Sequence, residues 1–422
     1  MASKRDGERV FEVCLGDDGI PVGTLWIQAE GGRHYSVFRY AESWLRHPRG
    51  FAIAPSMPLH TDRQFFRKTG ERGSFLPPPL ADTVPDLWGR RLMNAYNGSQ
   101  GLSEIEYLVG VDDQSRLGAL RLRIAGGPFL AEKPTDRPSL PPVLDIDLIT
   151  RDIARIERDH PDREALARLV GGGSSLGGAR PKCTVVLADG GLALAKFTSR
   201  HDQHAIEKAE VLTLKLARLC GLDAPDAELI QSGPLPVALI RRFDRGKTGR
   251  VPYLSAQSFL GMAEATGGTY VDFADMLRKQ ALLPELSVRE LFARVGFSIL
   301  VSNTDDHLKN HGLLAGGNGQ WRLSPLFDVN PSPERERYLK TAIADPGESQ
   351  ASLELLVDQA ESFGLSSGEA RRLVADQAQC IRAQWQPLAK QLGMSRAEIR
   401  DYQPAFEHPE SDWALRRGQS TT

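Results

Sequence analysis

Between Glu132 and Val143 the chain reads EKPTDRPSLPPV, with Pro134, Pro138, Pro141 and Pro142 in close succession. Proline has no backbone N–H and fixes φ, so such a run forbids both a helix and a central strand. The segment can only connect, and it predicts a boundary near Val143. Every other element must be organised on one side of it or the other.

Ahead of the boundary, RVFEVCL and GTLWIQ flank GDDGIPV, whose Asp18-Gly19 is a turn signal. HYSVFRY adds a third run of alternating apolar residues, so a small sheet is expected. In FLPPPLADTVPDLWGRRLMNAY, the breaks at Pro77, Pro78, Pro79 and Pro85 precede a helical run with Asp86 as its N-cap. Behind the boundary, LDIDLITRDIARIERD and REALARLV have helical periodicity and lead into the glycine-rich GGGSSLGGARPK. The strand-like runs CTVVLA and LALAKF come next, then a helix from His204 to Cys220. Its apolar stripe is Ile206, Ala209, Leu212, Leu216 and Leu219, which leaves Glu207 and Glu210 elsewhere on the helix surface. PVALIRRF reads as a strand ending at Asp244, and the patterns beyond it are mostly helical. The polar residues after Glu407 read as a loose tail.

At 422 residues, with 41% hydrophobic and 25% charged, the composition is that of a soluble globular protein of two or three domains. A formal net charge of -2 excludes a global basic field, so contact with nucleic acid needs a local patch or a partner. Cys14, Cys183, Cys220 and Cys380 form no metal-spaced pair, which favours a reducing compartment. The opening MASKRDGERVFEV has no apolar core behind its charges, and no segment reaches the length of a membrane span. A cytoplasmic location without a membrane partner is expected.

Four features bear on chemistry, and each has an ordinary alternative. Gly171, Gly172, Gly173, Gly177 and Gly178 can turn backbone N–H groups toward an anion, or serve as a flexible linker. The segment matches neither common phosphate fingerprint: Lys182 follows Pro181 rather than Gly, and Leu176 takes the last glycine's place in GxGxxG. Lys196 ends an apolar strand, where it either snorkels or meets a buried anion, with Glu210 on the next helix as the chosen partner. In SNTDDHLKN, Asp305 precedes Asn310 by five positions, the spacing of a kinase catalytic acid and its metal-binding amide; the alternative is a solvated polar loop. Asp328 closes GQWRLSPLFDV as a metal carboxylate or a surface turn. His307 reads as a loop-ordering residue hydrogen-bonded to backbone, and Lys309 as a charge facing substrate or phosphate. Together, and in this order, the four favour phosphoryl transfer.

The motifs GGARPK, RRFDR, TDDHLKN and LSPLFDV, with the N-terminal sheet and VPDLWGRRLM, make the chain similar to the HipA-like serine/threonine kinases, the toxins of bacterial toxin–antitoxin pairs. The resemblance covers nearly the whole chain. It implies an α+β, protein-kinase-like two-lobe fold: an extra N-terminal β-rich subdomain (1–142), a small lobe with the phosphate loop (143–248), and a mostly helical large lobe with the catalytic loop (249–422). It further implies Asp305 as catalytic residue, Asn310 and Asp328 as Mg²⁺ ligands, and Lys196 on the ATP phosphates. Ser175, Leu176, Gly177, Gly178, Ala179, Arg180 and Lys182 become the phosphate loop, with Ser175 self-phosphorylated, and Phe243 lies by the adenine. One departure is Arg241, where family members often carry an acid. Implied partners are a HipB-like helix-turn-helix antitoxin, DNA mainly through it, and a protein substrate of the aminoacyl-tRNA synthetase class. A corepressor with weak catalysis and a small-molecule phosphotransferase are the rival readings.

Overall fold

The computed structural model describes residues 8–30, 33–68, 73–98, 101–132, 140–158, 162–173, 178–247, 249–265 and 267–418. Its N-terminal part is an antiparallel five-stranded sheet in the order β4-β3-β2-β1-β5. These strands are β1 (Glu8–Leu15), β2 (Ile20–Glu30), β3 (Arg33–Tyr40), β4 (Gln64–Arg67) and β5 (Leu120–Arg123). The three expected strands form its centre; β4 and β5 are too short to show an alternation of their own. Period-two patterning sorts the faces: Phe11, Val13, Leu25, Ile27 and Phe38 are buried, whereas Val10 is exposed. Four helices, α1 (Glu42–Leu45), α2 (Pro78–Ala81), α3 (Leu87–Asn97) and α4 (Glu104–Gly110), add Trp44, Leu80, Trp88 and Leu108 to the same apolar cluster, α1 packing on β2.

Beyond the proline-rich segment, α5 (Ile146–Glu157) and α6 (Arg163–Gly173) lead into a four-stranded antiparallel sheet. Its order is β6-β7-β9-β8, from β6 (Lys182–Val186), β7 (Leu192–Phe197), β8 (Ala227–Ser232) and β9 (Leu235–Arg241), with α7 (Ile206–Leu219) packed on it. The end of the connection is stitched to β6, since Val186 N–H donates to the Pro141 carbonyl at 3.0 Å. A short hairpin, β10 (Arg245–Gly246) and β11 (Gly249–Arg250), precedes a three-stranded sheet of β12 (Tyr253–Ser255), β13 (Gly312–Gly317) and β14 (Gln320–Leu323). Helices α8 (Ala256–Phe259), α9 (Tyr270–Gln280), α10 (Pro284–Leu300), α11 (Leu353–Asp358), α12 (Ser367–Gln391), α13 (Arg396–Phe406) and α14 (Pro409–Gly418) complete the large lobe. The fold is α+β, with a small lobe built on the four-stranded sheet, a mostly helical large lobe and an added N-terminal β-rich part. Most of its buried apolar residues form one cluster from Phe11 to Ala414. No described helix is long and apolar enough to cross a membrane.

Three expectations fail. Gly171, Gly172 and Gly173 are not loop residues: they are the last buried turn of α6. A Cβ on Gly172 would collide with Cys183 Sγ and come within 2.7 Å of the Thr184 carbonyl, and one on Gly173 would lie 2.7 Å from Leu92 Cδ1. These glycines let α6 approach β6 and α3 closely, a tertiary demand that composition alone cannot separate from loop flexibility. Glu207 and Glu210 are buried rather than on the surface of α7, while Leu219 is 53% exposed. Packed by β8 and β9 and by α12, α7 has little free surface, and its carboxylates go inward to meet cations. Finally, residues 408–418 are not loose, because α14 buries Ala414 and is anchored by His408, whose Nε2 lies 3.0 Å from the Leu300 carbonyl.

Gly172→Ala is expected to destabilise the fold by about 1–3 kcal/mol, measured by urea denaturation, since the obstructing Thr184 atom is backbone. Burial pushes His408 down to about 4. Between that value and the unfolded one near 6.5 the unfolded chain binds more protons, so stability rises with pH across this window. Acidification from pH 7 to pH 5 should therefore lower the melting temperature, and His408→Gln should flatten that dependence.

Candidate active site

The site lies where the two lobes meet the N-terminal part, around a cavity of 520 Å³. Strand β7 delivers Lys196 to it. Opposite Ala238 on β9 and Lys182 on β6, Lys196 is only 8% exposed, and its Nζ lies 2.5 Å from Glu210 Oε1 and 2.7 Å from Asp328 Oδ1. Burial alone would lower the lysine, but the Asp328 and Glu210 carboxylates reverse that and hold it well above its ordinary value. Asp328 is half-buried, so desolvation opposes its charge, yet Lys196 and Lys182 keep it well below the carboxylate range. Glu210 is raised by burial. Lys182, buried beside Lys196, is lowered to about 8 by desolvation and that neighbouring charge.

The catalytic-loop candidate leaves α10 through Ser302, a non-glycine residue at φ 55°; Asp328 adopts φ 56°. Backbone of this kind is unfavourable for side-chain-bearing residues, and here it marks both segments that meet Lys196 or face it across the cavity. The adjacent acids point opposite ways. Asp305 is exposed and lines the cavity, and its backbone carbonyl accepts from Asn310 Nδ2 at 3.2 Å. Asp306 is buried, accepting from Tyr270 Oη and Ser298 Oγ at 2.9 Å each, with His311 Nε2 3.0 Å away. Burial would raise Asp306, but His311 and these donors outweigh it and lower the carboxyl. Asp306 thereby anchors the loop whose outer face presents Asp305.

A second cluster shapes the apolar end. Phe243 sits 5.4 Å from Phe327 and 6.3 Å from Tyr253, ring centre to ring centre, beside Leu194 and Ile240. Its segment is bolted to the N-terminal part. Asp244 accepts from Arg242 Nη2, Arg245 Nη1 and the Gly118 N–H at 2.7 Å each, and Arg242 Nη1 donates to the Ser115 carbonyl at 2.7 Å. Burial opposes the charge of Asp244, but the two arginines pull it down to about 2. Arg241 is paired outward with Asp189.

Among the residues expected from sequence, Gly178, Lys196, Glu210, Phe243, Asp305, Asn310 and Asp328 line this one cavity. Arg180 is turned away into ion pairs with Asp202 and Glu207, and neither it, Ala179 nor Lys182 lines the cavity. Ser175, Leu176 and Gly177 lie outside the described residues. His307 borders the cavity, but its buried Nδ1 has no hydrogen-bond partner among the described residues, contrary to the expected bond to backbone. That loop is ordered instead by Asp306, by Asn310 N–H donating to the His307 carbonyl at 2.7 Å, and by Asn330 N–H donating to Asn303 Oδ1 at 3.1 Å. Sequence reasoning missed Asp82 and Asp86, which enter from the N-terminal part. Asp82 accepts from Ser255 and Ser258 and is raised by burial. Asp86 holds the N-cap position of α3, but makes no cap bond there; its signal was the VPDLWGRRLM stretch.

Two family models match the chain: "HipA N-terminal domain" over residues 12–123 and "HipA-like C-terminal domain" over residues 174–385. A Sinorhizobium fredii protein named "Putative kinase Y4mE" is 27% identical over 322 residues, covering 70% of this chain and 72% of the relative. A second from that organism, "Putative kinase Y4dM", is 25% identical over 232 residues, 50% of this chain and 56% of its own. In solved structures, the HipA of Shewanella oneidensis MR-1, in a complex with HipB and operator DNA, superposes with a TM-score of 0.69 at 17% identity, covering 97% of both chains. At that identity the likeness is one of fold.

Lys196→Met should reverse the site's pH behaviour. Without the ammonium, the buried carboxylate of Glu210 and the half-buried one of Asp328 lose their shared partner, destabilising the fold at pH 7 by about 3 kcal/mol. Glu210, already raised by burial, then lies further above the unfolded value near 4, so the loss shrinks as pH falls from about 7 toward 5. In the unaltered protein the depressed Asp328 contributes stability that is present at pH 7 and lost only below about 4. Denaturation midpoints of both proteins at pH 7 and pH 5 measure the difference.

Proposed function

The chain belongs to the HipA-like family, and from that premise we propose that it is an ATP- and Mg²⁺-dependent protein serine/threonine kinase that phosphorylates itself on Ser175. One observation carries this reading: Lys196, fixed between Glu210 and Asp328, faces Asp305 and Asn310 across a single cavity. The cavity suits a nucleotide chemically, with rings of Phe243, Phe327 and Tyr253 at one end and fixed charges at the other. Among the described residues no group of three or more His, Cys, Asp and Glu could hold a metal ion. Asp328 and Asn310 offer only oxygen ligands, too few for a dedicated cage, which fits Mg²⁺ completed by phosphate oxygens and water.

When bound, ATP with Mg²⁺ supplies the phosphoryl group to be transferred. The chain's own residues then have separable tasks. Lys196, kept cationic by its two carboxylates, offsets phosphate charge. Asp305, exposed where Asp306 is buried, orients the attacking hydroxyl and accepts its proton. Asn310 ties its side-chain amide to the Asp305 carbonyl and sets the loop's curvature. Phosphate on Ser175 would add about -1.5 to -2 of charge beside the nucleotide's own and oppose its rebinding.

As substrate we propose a translation-related protein of the aminoacyl-tRNA synthetase class, which makes the chain a toxin in the cytoplasm. The implied partner is a HipB-like helix-turn-helix antitoxin that carries most of the DNA contact. The Shewanella relative's presence in a HipA, HipB and operator DNA complex supports that partner, and the net charge of -2 agrees with DNA contact made through it.

Phosphatase-treated protein incubated with ATP and Mg²⁺ should gain one phosphoryl group, mapped to Ser175 by peptide mass. Asp305→Asn should reduce the rate by about 10²–10⁴-fold, and Ser175→Ala should abolish labelling while keeping nucleotide binding. A protein that binds ATP yet stays unlabelled would favour the corepressor or small-molecule alternatives, and one that binds no ATP would refute the reading.

A further inference from the structure

Gly178 is the first described residue after the centre of the glycine-rich segment, and the N-terminal part holds it from both sides. Asp86 Oδ2 accepts the Gly178 N–H at 2.9 Å, and the Trp88 N–H donates to the Gly178 carbonyl at 3.3 Å. Four residues on, Trp88 Nε1 donates to the Lys182 carbonyl at 2.9 Å. Gly178 itself is at φ 98°, a conformation reserved for glycine, and a Cβ there would lie 2.7 Å from Lys182 Nζ. The other oxygen of Asp86 lies 3.6 Å from Lys309 Nζ, in the loop that carries Asp305.

The same carboxylate stands at the N-cap of α3 without accepting from any α3 N–H, although capping is the ordinary use of Asp at that position. Its geometry serves two other segments, both of which border the cavity. Glycine has more backbone freedom to lose than any other residue, so whatever fixes Gly178 beforehand lowers the ordering penalty of binding.

We propose that Asp86 is a positioning residue: it fixes Gly178, and with it the phosphate-facing end of the glycine-rich segment, against the catalytic loop. The N-terminal part is thereby a working component of nucleotide binding. The consequence for ATP rests on the kinase reading above, whereas the fixing of Gly178 does not. Because Asp86 acts on Gly178 before nucleotide arrives, its loss acts on ATP affinity and raises KM for ATP.

The test compares the unaltered full-length protein with Asp86→Ala and Asp86→Asn. The Asn variant keeps an oxygen acceptor for Gly178 and loses the charge facing Lys309. Amide hydrogen exchange without nucleotide should show Gly178 exchanging about tenfold faster in Asp86→Ala, with Asp86→Asn close to the unaltered protein. Calorimetric titration with ATP and Mg²⁺ should give about tenfold weaker binding for Asp86→Ala and within about twofold for Asp86→Asn. The side chain of Asp86 is 32% exposed and outside the apolar core, so both variants should fold, checked by their melting temperatures. Unchanged exchange at Gly178, or tighter ATP binding in Asp86→Ala, overturns the proposal. If the unaltered protein binds no ATP, the kinase reading falls, and the exchange result alone decides whether Asp86 fixes Gly178.

Discussion

The buried ammonium of Lys196 is the constraint around which the site is arranged. Removing a charge from water is unfavourable by several kcal/mol, so a lysine at 8% exposure persists only with carboxylates within contact. One comes from α7 in the small lobe and the other from the segment after β14, 132 positions away. The charge therefore draws together the sheet, the helix above it and the large-lobe segment that carries Asp328. Glu210 is buried by this arrangement, which is why α7 cannot be the simple amphipathic helix that its leucine spacing describes.

A second set of charges joins the lobes to the N-terminal part. Asp244 is satisfied by Arg242, Arg245 and the Gly118 N–H, so the strand-exit segment carrying Phe243 is positioned by residues on both sides of the proline-rich connection. Asp86 and Trp88 do the same for Gly178. The proline-rich run does not separate packing, because a single apolar cluster takes in residues on both sides of it. The architecture is better described as three parts closing on one cavity than as a kinase with an appendage.

How much was legible follows from the range of the interaction responsible. Strands β1, β2 and β3 declare themselves by local alternation, and Asp305 and Asn310 by a spacing within one loop. Lys196 declares itself by the expense of its burial. Gly171, Gly172 and Gly173 mislead, because a glycine needed for close approach to Cys183 and Thr184 looks in one dimension like a glycine needed for flexibility. His307 misleads for a related reason: a polar residue in a polar loop suggests a local hydrogen bond, while the loop is held by Asp306 through Tyr270 and Ser298 from elsewhere. The helix α14 escapes notice because its polar composition hides the few side chains, Ala414 among them, that dock on the large lobe.

The sequence by itself determined the order of the elements, the family motifs and the residue types that a phosphoryl-transfer site would need. Those follow from backbone restriction, periodicity and charge, all of which act over a few positions. Tertiary structure alone decided which of two adjacent acids faces the cavity, that Arg180 turns away from it, and that Asp86 reaches Gly178 and Lys309 rather than its own helix. Such choices rest on which partner lies within about 3 Å after folding, a distance that no spacing along the chain encodes.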